Sequence, residues 1–339
     1  MNRLPRAFMG PPLTGAPPGR PAPTFSVVIA VHNAAETIAE AIDSVLAQTI
    51  APIELIVCDD GSTDETDAAV RRYGDRITYL TKAHGGVASA CNSALEVAVG
   101  EFFARLDADD VYEPERLEAL TELALARPDL DILCTDVLLE HDDQVIGRFM
   151  ATCPFDVFDQ KATILERCFC IAPVVRRETL MAGGGFDQSL RSGSDWECAI
   201  RLIHSGARAG LVDEPLYRYR VQGETLTSDR VATLRDRVGF LERVGDTYAL
   251  APSQREALAR SLATQRKALA LTEAEAALRS QAPDARGRAL AAARSPGLTL
   301  RARAAAVGAA IAPRAAGRIL ERRARKTGYS RLARSLPRG

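Results

Sequence analysis

Phe25–Val31 (FSVVIAV) is an unbroken run of aliphatic and β-branched residues, the pattern of a strand covered on both faces. Ala34–Gln48 follows with apolar positions at Ile38, Ala41, Ile42, Val45 and Leu46, the spacing of an amphipathic helix. Ile53–Cys58 is a second strand-like run. It ends in Asp59-Asp60-Gly61-Ser62-Thr63-Asp64, a turn that feeds a helix through about Arg72, with Asp64 placed to cap it. Ile77–Thr81 predicts a third strand, Val87–Val99 a helix and Glu101–Leu106 a fourth strand. Strands alternating with helices of this length predict an α/β fold, a Rossmann-like, mostly parallel sheet flanked by helices.

In such sheets ligands bind beyond the carboxyl ends of the strands. Polar clusters fall there three times: His32-Asn33, Asp59-Asp60, and Asp107-Ala108-Asp109-Asp110. No glycine-rich phosphate loop follows any strand, so a nucleotide bound here is gripped in another way. Asp107 and Asp109 are one residue apart, which lets two carboxylates turn toward one hard cation. Mg²⁺ and Mn²⁺ take few carboxylates and keep places for water and phosphate oxygens. Such an ion neutralises a departing diphosphate. From spacing alone, a solvated acidic turn is the commoner reading.

Taken together, SVVIAVHNAAETIAEAIDSVLAQT, ELIVCDDGSTDET and GGVASACNSALEVAVGEFFARLDADD, in that order and spacing, resemble the family 2 glycosyltransferases of the GT-A fold over about residues 25–220. The resemblance implies an inverting, metal-dependent transfer of a hexose-type sugar from a nucleoside-diphosphate sugar, a UDP-sugar being favoured. The implied acceptor is a hydroxyl of a glycan or lipid-linked glycan, in surface polysaccharide or glycoconjugate synthesis, and the implied cofactor is Mn²⁺ or Mg²⁺. It places Ala30, His32 and Asn33 along the base and Glu36 beside the nucleotide. Asp59 falls on the base or ribose, with Asp60 holding the turn. Gly86 and Asn92 lie near the donor at a helix start. Asp107 and Asp109 match the metal pair, Asp107 also bordering the donor. The family often has Pro at Ala30, an aromatic at His32 and Arg at Cys91, so a positive contact is either missing or supplied by Lys82.

GGGFDQSLRSGSDWECAIRL (183–202) resembles the family's acceptor segment, with Ser194 in place of the usual Glu. Asp195 is then the candidate general base, the alternative being an N-cap acid. Trp196 is either an acceptor-binding sugar platform or a core residue. Leu216–Thr227 resembles a flexible closing segment, whose Arg218 and Arg220 either meet the diphosphate or face solvent. One base with a metal-assisted leaving group implies a single displacement, hence inversion. A degenerate, non-catalytic transferase-like protein stays open on the departures at Ala30, Cys91 and Ser194. A nucleotidyltransferase fits less well, because His32-Asn33-Ala34-Ala35 is not the glycine-rich basic stretch that class carries.

Charge changes the picture for the rest of the chain. The 339 residues sum to −1, but 231–339 hold 22 basic and 8 acidic side chains against 21 and 36 in 1–230. Three regions are expected: a disordered proline-rich arm at 1–23, a transferase domain at 24–228 (nucleotide half about 24–112, acceptor half about 113–228), and a helical Arg/Ala-rich extension at 229–339. Within the extension, 281–339 has the composition of a surface for anionic membrane, and the bland alternative is a solvated appendage or partner dock. Nucleic acid is not expected as a partner, since Tyr329 is the sole aromatic after residue 280. The seven cysteines form no Cys-x-x-Cys pair and read as buried free thiols. No apolar run is long enough to span a bilayer and no signal peptide is recognisable, so a cytoplasmic location is expected, with a peripheral position on the inner membrane face left open.

Overall fold

The structure is a computed structural model that describes residues 6–10, 22–142, 144–221 and 229–326, the side chains of 321–326 excepted. The chain divides into two compact units. Among the described residues the first holds 6–190 and 194–221, the second 191–193 and 229–326.

The first unit is built on one sheet. After β1 (Phe8–Met9), β2 (Phe25–Val31) leads into α1 (Ile38–Leu46), β3 (Glu54–Asp59) into α2 (Thr66–Arg71), and β4 (Thr78–Thr81) into α3 (Val87–Val97). Then come β5 (Phe102–Asp107), β6 (Val111–Tyr112), α4 (Arg116–Ala126), β7 (Ile132–His141) and β8 (Gln144–Arg148). α5 (Gln160–Glu166), β9 (Val174–Arg176), α6 (Arg177–Ala182), α7 (Ser194–His204) and β10 (Ala209–Arg220) complete it. The sheet order is β1-β10-β7-β9-β5-β2-β3-β4, with β6 on β10 and β8 on β7. β5, β2, β3 and β4 are all parallel, as the apolar runs predict: Val27, Val28 and Ile29 are wholly buried because helices cover both faces. The sheet as a whole is mixed, since β9 runs antiparallel to both β5 and β7.

α1 starts four residues later than the periodicity suggests. Its stripe Ile38, Ala41, Ile42 and Val45 is buried, and Leu46 is left exposed. Asp64 caps less than it braces: its carboxylate accepts from the backbone and hydroxyl of Thr66 and from the Ala35 backbone N–H. The proline-rich arm needs a correction. Residues 6–10 are placed, with Phe8 and Met9 opposite Val212 and Leu211 on the edge of β10. Arg6 fixes them through Glu122 (2.8 Å) and Glu214 (3.1 Å). Composition does not reveal this strand, because its hydrogen bonds belong to a partner two hundred residues away. The cysteines are free, all but half-buried Cys168 fully buried.

The second unit is helical: α8 (Arg230–Thr247), α9 (Pro252–Arg279), α10 (Ala285–Ala293), α11 (Leu300–Ile311) and α12 (Pro313–Lys326). Asp229 caps α8, Thr299 caps α11, and Pro252 opens α9 where its missing N–H costs nothing. A core of Ala277, Leu278, Ala285, Ala289 and Ala310 lets helices approach closely. Gly317 of α12 lies against the Leu278 carbonyl, where no Cβ would fit. Among the described residues no helix is long and apolar enough to cross a membrane.

Candidate functional site

The carboxyl ends of β2, β3 and β5 lie side by side, because Ala30 is in register with both Cys58 and Asp107. This brings the three polar clusters together. His32 and Asn33 leave β2 exposed, with Asn33 in the left-handed region (φ 50°). The Asn33 N–H donates to Ser62 (2.9 Å) and its side-chain oxygen accepts from the Thr63 N–H (2.7 Å), so the β2 and β3 loops are stitched together. His32 lies tilted against His84, ring centroids 4.2 Å apart and planes at 33°, each ring facing the Asp60 carbonyl through Nδ1. Sequence reasoning missed His84. Glu36 is exposed in the first turn before α1.

Several residues expected to meet the donor are committed to the protein instead. Asp59 is buried, one oxygen accepting from the Ser62 N–H (2.8 Å) and the other facing the Tyr79 hydroxyl (3.0 Å). Lys82 donates to Asp60 (2.8 Å) and to the Ala83 carbonyl. Asp60, also buried, accepts from the Gly85 and Gly86 N–H groups and so sets the loop before α3. Burial pushes its pKa up, but Lys82 and those amides outweigh this and hold it below the usual carboxylate value. Gly86 takes φ 87° there, a conformation that suits glycine. Asn92 spends its amide on Phe186, donating to the carbonyl and accepting from the N–H (both 2.9 Å), and thereby ties α3 to the Gly-Gly-Phe turn of the acceptor half.

The β5 end is different. Asp107 is paired with Arg105, whose Nη2 lies 2.9 Å from its carboxylate. The two side chains share a face because they sit two positions apart on one strand. Asp109 is half-buried, and its pKa is raised by burial and by Asp107. Asp110 is buried, accepts from the Tyr217 hydroxyl (2.6 Å) and the Arg220 N–H (2.8 Å), and is raised well above its ordinary value by burial, Asp107 and Asp109. Arg105 itself lies among Asp107, Cys91 and Asp195. Burial lowers its pKa, but the two acids and the thiol outweigh this and hold it above the usual value. Arg105 is a cation at this strand end that the sequence reading did not single out. Its sequence signal was a lone charge inside the apolar run FFARL.

Asp195 lies in the first turn of α7, half-exposed, accepting from the Trp196 N–H (2.8 Å). It stands inside the helix rather than at the N-cap. Trp196 is not a sugar platform: it is buried, and its indole N–H donates to the Ile164 carbonyl (2.6 Å). Arg218 pairs with Glu113 (2.7 Å) and Arg220 with Glu40 (2.6 Å), so both are held by acids rather than left to solvent. The rest of the expected closing segment, 222–227, lies outside the described residues, as do 327–339 of the basic tail. Among the described residues no three His, Cys, Asp or Glu side chains converge as a metal's ligands.

Residues 26–150 match the family model described as Glycosyl transferase family 2. That segment is a family 2 glycosyltransferase domain. An uncharacterized glycosyltransferase of Rickettsia prowazekii is 38% identical over 190 residues, 53% of this chain and 59% of that protein. The UDP-Glc:α-D-GlcNAc-diphosphoundecaprenol β-1,3-glucosyltransferase WfgD of Escherichia coli is 37% identical over 162 residues, 46% of this chain and 61% of that protein. The chain therefore spans about three fifths of the length of these relatives. Among solved structures, S. aureus TarS 1–349 in complex with UDP-GlcNAc superposes with a TM-score of 0.58 at 19% identity, over 91% of this chain and 93% of that one. The mannosyltransferase PcManGT from Pyrobaculum calidifontis, in complex with GDP-Man and Mn²⁺, gives 0.55 at 23%, over 91% and 87%. The fold of the family 2 domain is that of these GT-A neighbours, a central sheet flanked by helices, followed by the helical unit.

Proposed function

We propose that this glycosyltransferase moves a hexose-type sugar from a nucleoside-diphosphate donor to a hydroxyl of a glycan or lipid-linked glycan, with inversion. The observation that carries the reading is the β5 end, where Asp109 and Asp195 are half-exposed acids with no ion pair among the described residues and Arg105 of β5 is close enough to feel the charge of Asp195. His32, with Ala30, Asn33 and Glu36 around it, forms the base and ribose side, and the imidazole pair offers it a flat face. Gly86 keeps the backbone low beside the donor. Asp59, Lys82 and Asn92 act one step back, by holding the loops that line it.

Asp107 and Asp109 fit a divalent cation: both are hard oxygen donors, and the burial and the repulsion from Asp107 that raise Asp109 are what a cation relieves. Bound there, Mn²⁺ or Mg²⁺ would supply Lewis-acid stabilisation of the diphosphate leaving group. Asp195 takes the proton from the acceptor hydroxyl as its oxygen attacks the anomeric carbon. Arg105 holds Asp107 in place through their ion pair and places a positive charge near Asp195. A single displacement with one base turns an α-linked donor into a β-linked product. The E. coli relative, by its name a UDP-glucose enzyme acting on a diphosphoundecaprenol-linked acceptor, supports a UDP-sugar and a lipid-linked acceptor, and the Mn²⁺ complex of the archaeal neighbour supports the cation.

The test combines melting curves with UDP-glucose, UDP-GlcNAc or GDP-mannose, with and without Mn²⁺, and nucleoside-diphosphate release by Asp195→Asn. A UDP-sugar should raise the melting temperature only with Mn²⁺. Asp195→Asn should keep that shift and lose about 10²–10⁴-fold in turnover. If no nucleotide sugar stabilises the protein, or if the variant turns over like wild type, the proposal fails.

A further inference from the structure

Helix α11 carries its apolar residues the wrong way round. The face turned to the helical core is alanine throughout: Ala302, Ala306 and Ala309 are half-buried and Ala310 buried. The larger residues point outward, with Leu300 86% exposed, Ile311 76% and Val307 40%. Their spacing of seven and four residues puts all three, with exposed Ala304, on one stripe of the helix. Arg301 and Arg303, both exposed, flank it on either side. α12 shares it in part: Gly317 faces inward beside half-buried Leu320, while Ile319, Arg314 and Arg318 are exposed.

A helix that only needed to pack on its own unit would bury leucine and isoleucine and expose alanine, because the larger side chains gain more from leaving water. This stripe therefore gains its burial from something outside the unit. Charge indicates what: residues 285–320 hold seven arginines and no acid. The surface complements a dense anionic layer that also offers an apolar interior. An acidic protein groove would offer the first over a small area, whereas a bilayer of anionic lipid offers both along the whole stripe.

We propose that α11 and the start of α12 form a membrane-docking face for anionic lipid. Leu300, Val307 and Ile311 enter the acyl boundary while Arg301, Arg303, Arg314 and Arg318 meet headgroup phosphates. The face lies in the helical unit and its argument is independent of the catalytic reading. The glycosyl-transfer proposal can fail and this one stand.

The full chain is tested by co-sedimentation with vesicles of equal parts phosphatidylglycerol and phosphatidylcholine, and with phosphatidylcholine alone. Binding is expected to the first only, and to weaken with added salt. The triple change Leu300→Ser/Val307→Ser/Ile311→Ser should weaken it about a hundredfold. Arg301→Gln/Arg303→Gln should weaken it about fivefold per arginine. Both variants should keep the wild-type melting temperature, since the altered side chains are exposed. Equal binding to neutral vesicles, no vesicle binding by the wild type, or variants that bind as wild type would each overturn the proposal. So would a dimer that the triple change dissociates in a protein that ignores vesicles, which would make the stripe a contact between copies.

Discussion

The two ends of the candidate site use acidic residues in opposite ways. At the β3 end Asp59 and Asp60 are buried and fully spoken for, by Ser62 and Tyr79 in one case and by Lys82, Gly85 and Gly86 in the other. At the β5 end and the start of α7, Asp109 and Asp195 keep part of their surface in water, and among the described residues no cation is bonded to them. An acid already satisfied by the protein stabilises the fold and has little left to offer a ligand. An acid crowded by another acid costs stability until a cation or a proton arrives. Proximity to the strand ends is shared by both sets, so position alone does not separate scaffold from chemistry. Partnership does.

The comparison breaks most decisively if two substitutions fail to cross over. Asp109→Ala should reduce turnover roughly a thousandfold, the loss expected when several kcal/mol of cation-assisted stabilisation is withdrawn, while leaving the melting temperature unchanged or higher. Asp60→Ala should do the reverse to the fold, costing about 3–5 kcal/mol because Lys82 and two amides lose a buried partner. Since Asp60 is held below the ordinary carboxylate value, its stabilisation is present above that value and fades as pH falls below it. Turnover assays and urea unfolding of both variants check the crossing. An Asp109→Ala protein that unfolds early, or an Asp60→Ala protein of wild-type stability, would show that the division is wrong.

A smaller effect sharpens the middle of the site. Arg105 touches Asp107 and stands near Asp195. As a positioning residue it should matter to kcat more than to KM. Arg105→Met should lower kcat about ten- to a hundredfold and raise the Mn²⁺ concentration needed for half activity, because Asp107 loses its orienting partner. Arg105→Lys should recover part of the loss. Equal falls in activity at every Mn²⁺ concentration, with no recovery by Lys, would mark the residue as structural only.

What the sequence revealed follows from which interactions are local. Unbroken apolar runs identify β2, β3 and β5, and the residues after each run must lie at the sheet's carboxyl edge, so His32, Asp59 and Asp107 were found together. What a side chain does at that edge depends on neighbours far along the chain. Asn92 reaches Phe186 and Tyr217 reaches Asp110, each across about a hundred residues. Trp196 followed the same rule: its place in the acceptor segment suggested a sugar platform, but the partner of its indole, the Ile164 carbonyl, is set by how α7 packs on α5. Arg105 was passed over because a charge in an apolar strand reads as an exposed position until Asp107 of the same strand and Asp195 of α7 are seen near it.

The subtlest consequence concerns Asp110, which belongs to neither set. It is buried and bonded like the scaffold acids, yet raised well above its ordinary value by burial, Asp107 and Asp109, like the crowded ones. A carboxyl whose folded-state pKa is raised keeps its proton longer in the folded than in the unfolded chain. Its contribution to stability is therefore fullest below the unfolded value, about 4, and declines as pH rises from there toward the folded value. Asp110→Asn freezes the neutral form. Like the protonated carboxyl it mimics, the amide can accept from the Arg220 N–H and donate to the Tyr217 oxygen. The variant should match the wild type near pH 4 and melt higher by a few degrees near pH 7, each kcal/mol being worth about 2–4 °C in a chain of this size. Differential scanning calorimetry across that range measures the gap. Added Mn²⁺ should narrow it, because a cation held by Asp107 and Asp109 cancels two of the charges that raise Asp110. A gap that is constant with pH, or one that Mn²⁺ leaves untouched, would mean that Asp110 does not feel its neighbours and belongs wholly with the scaffold.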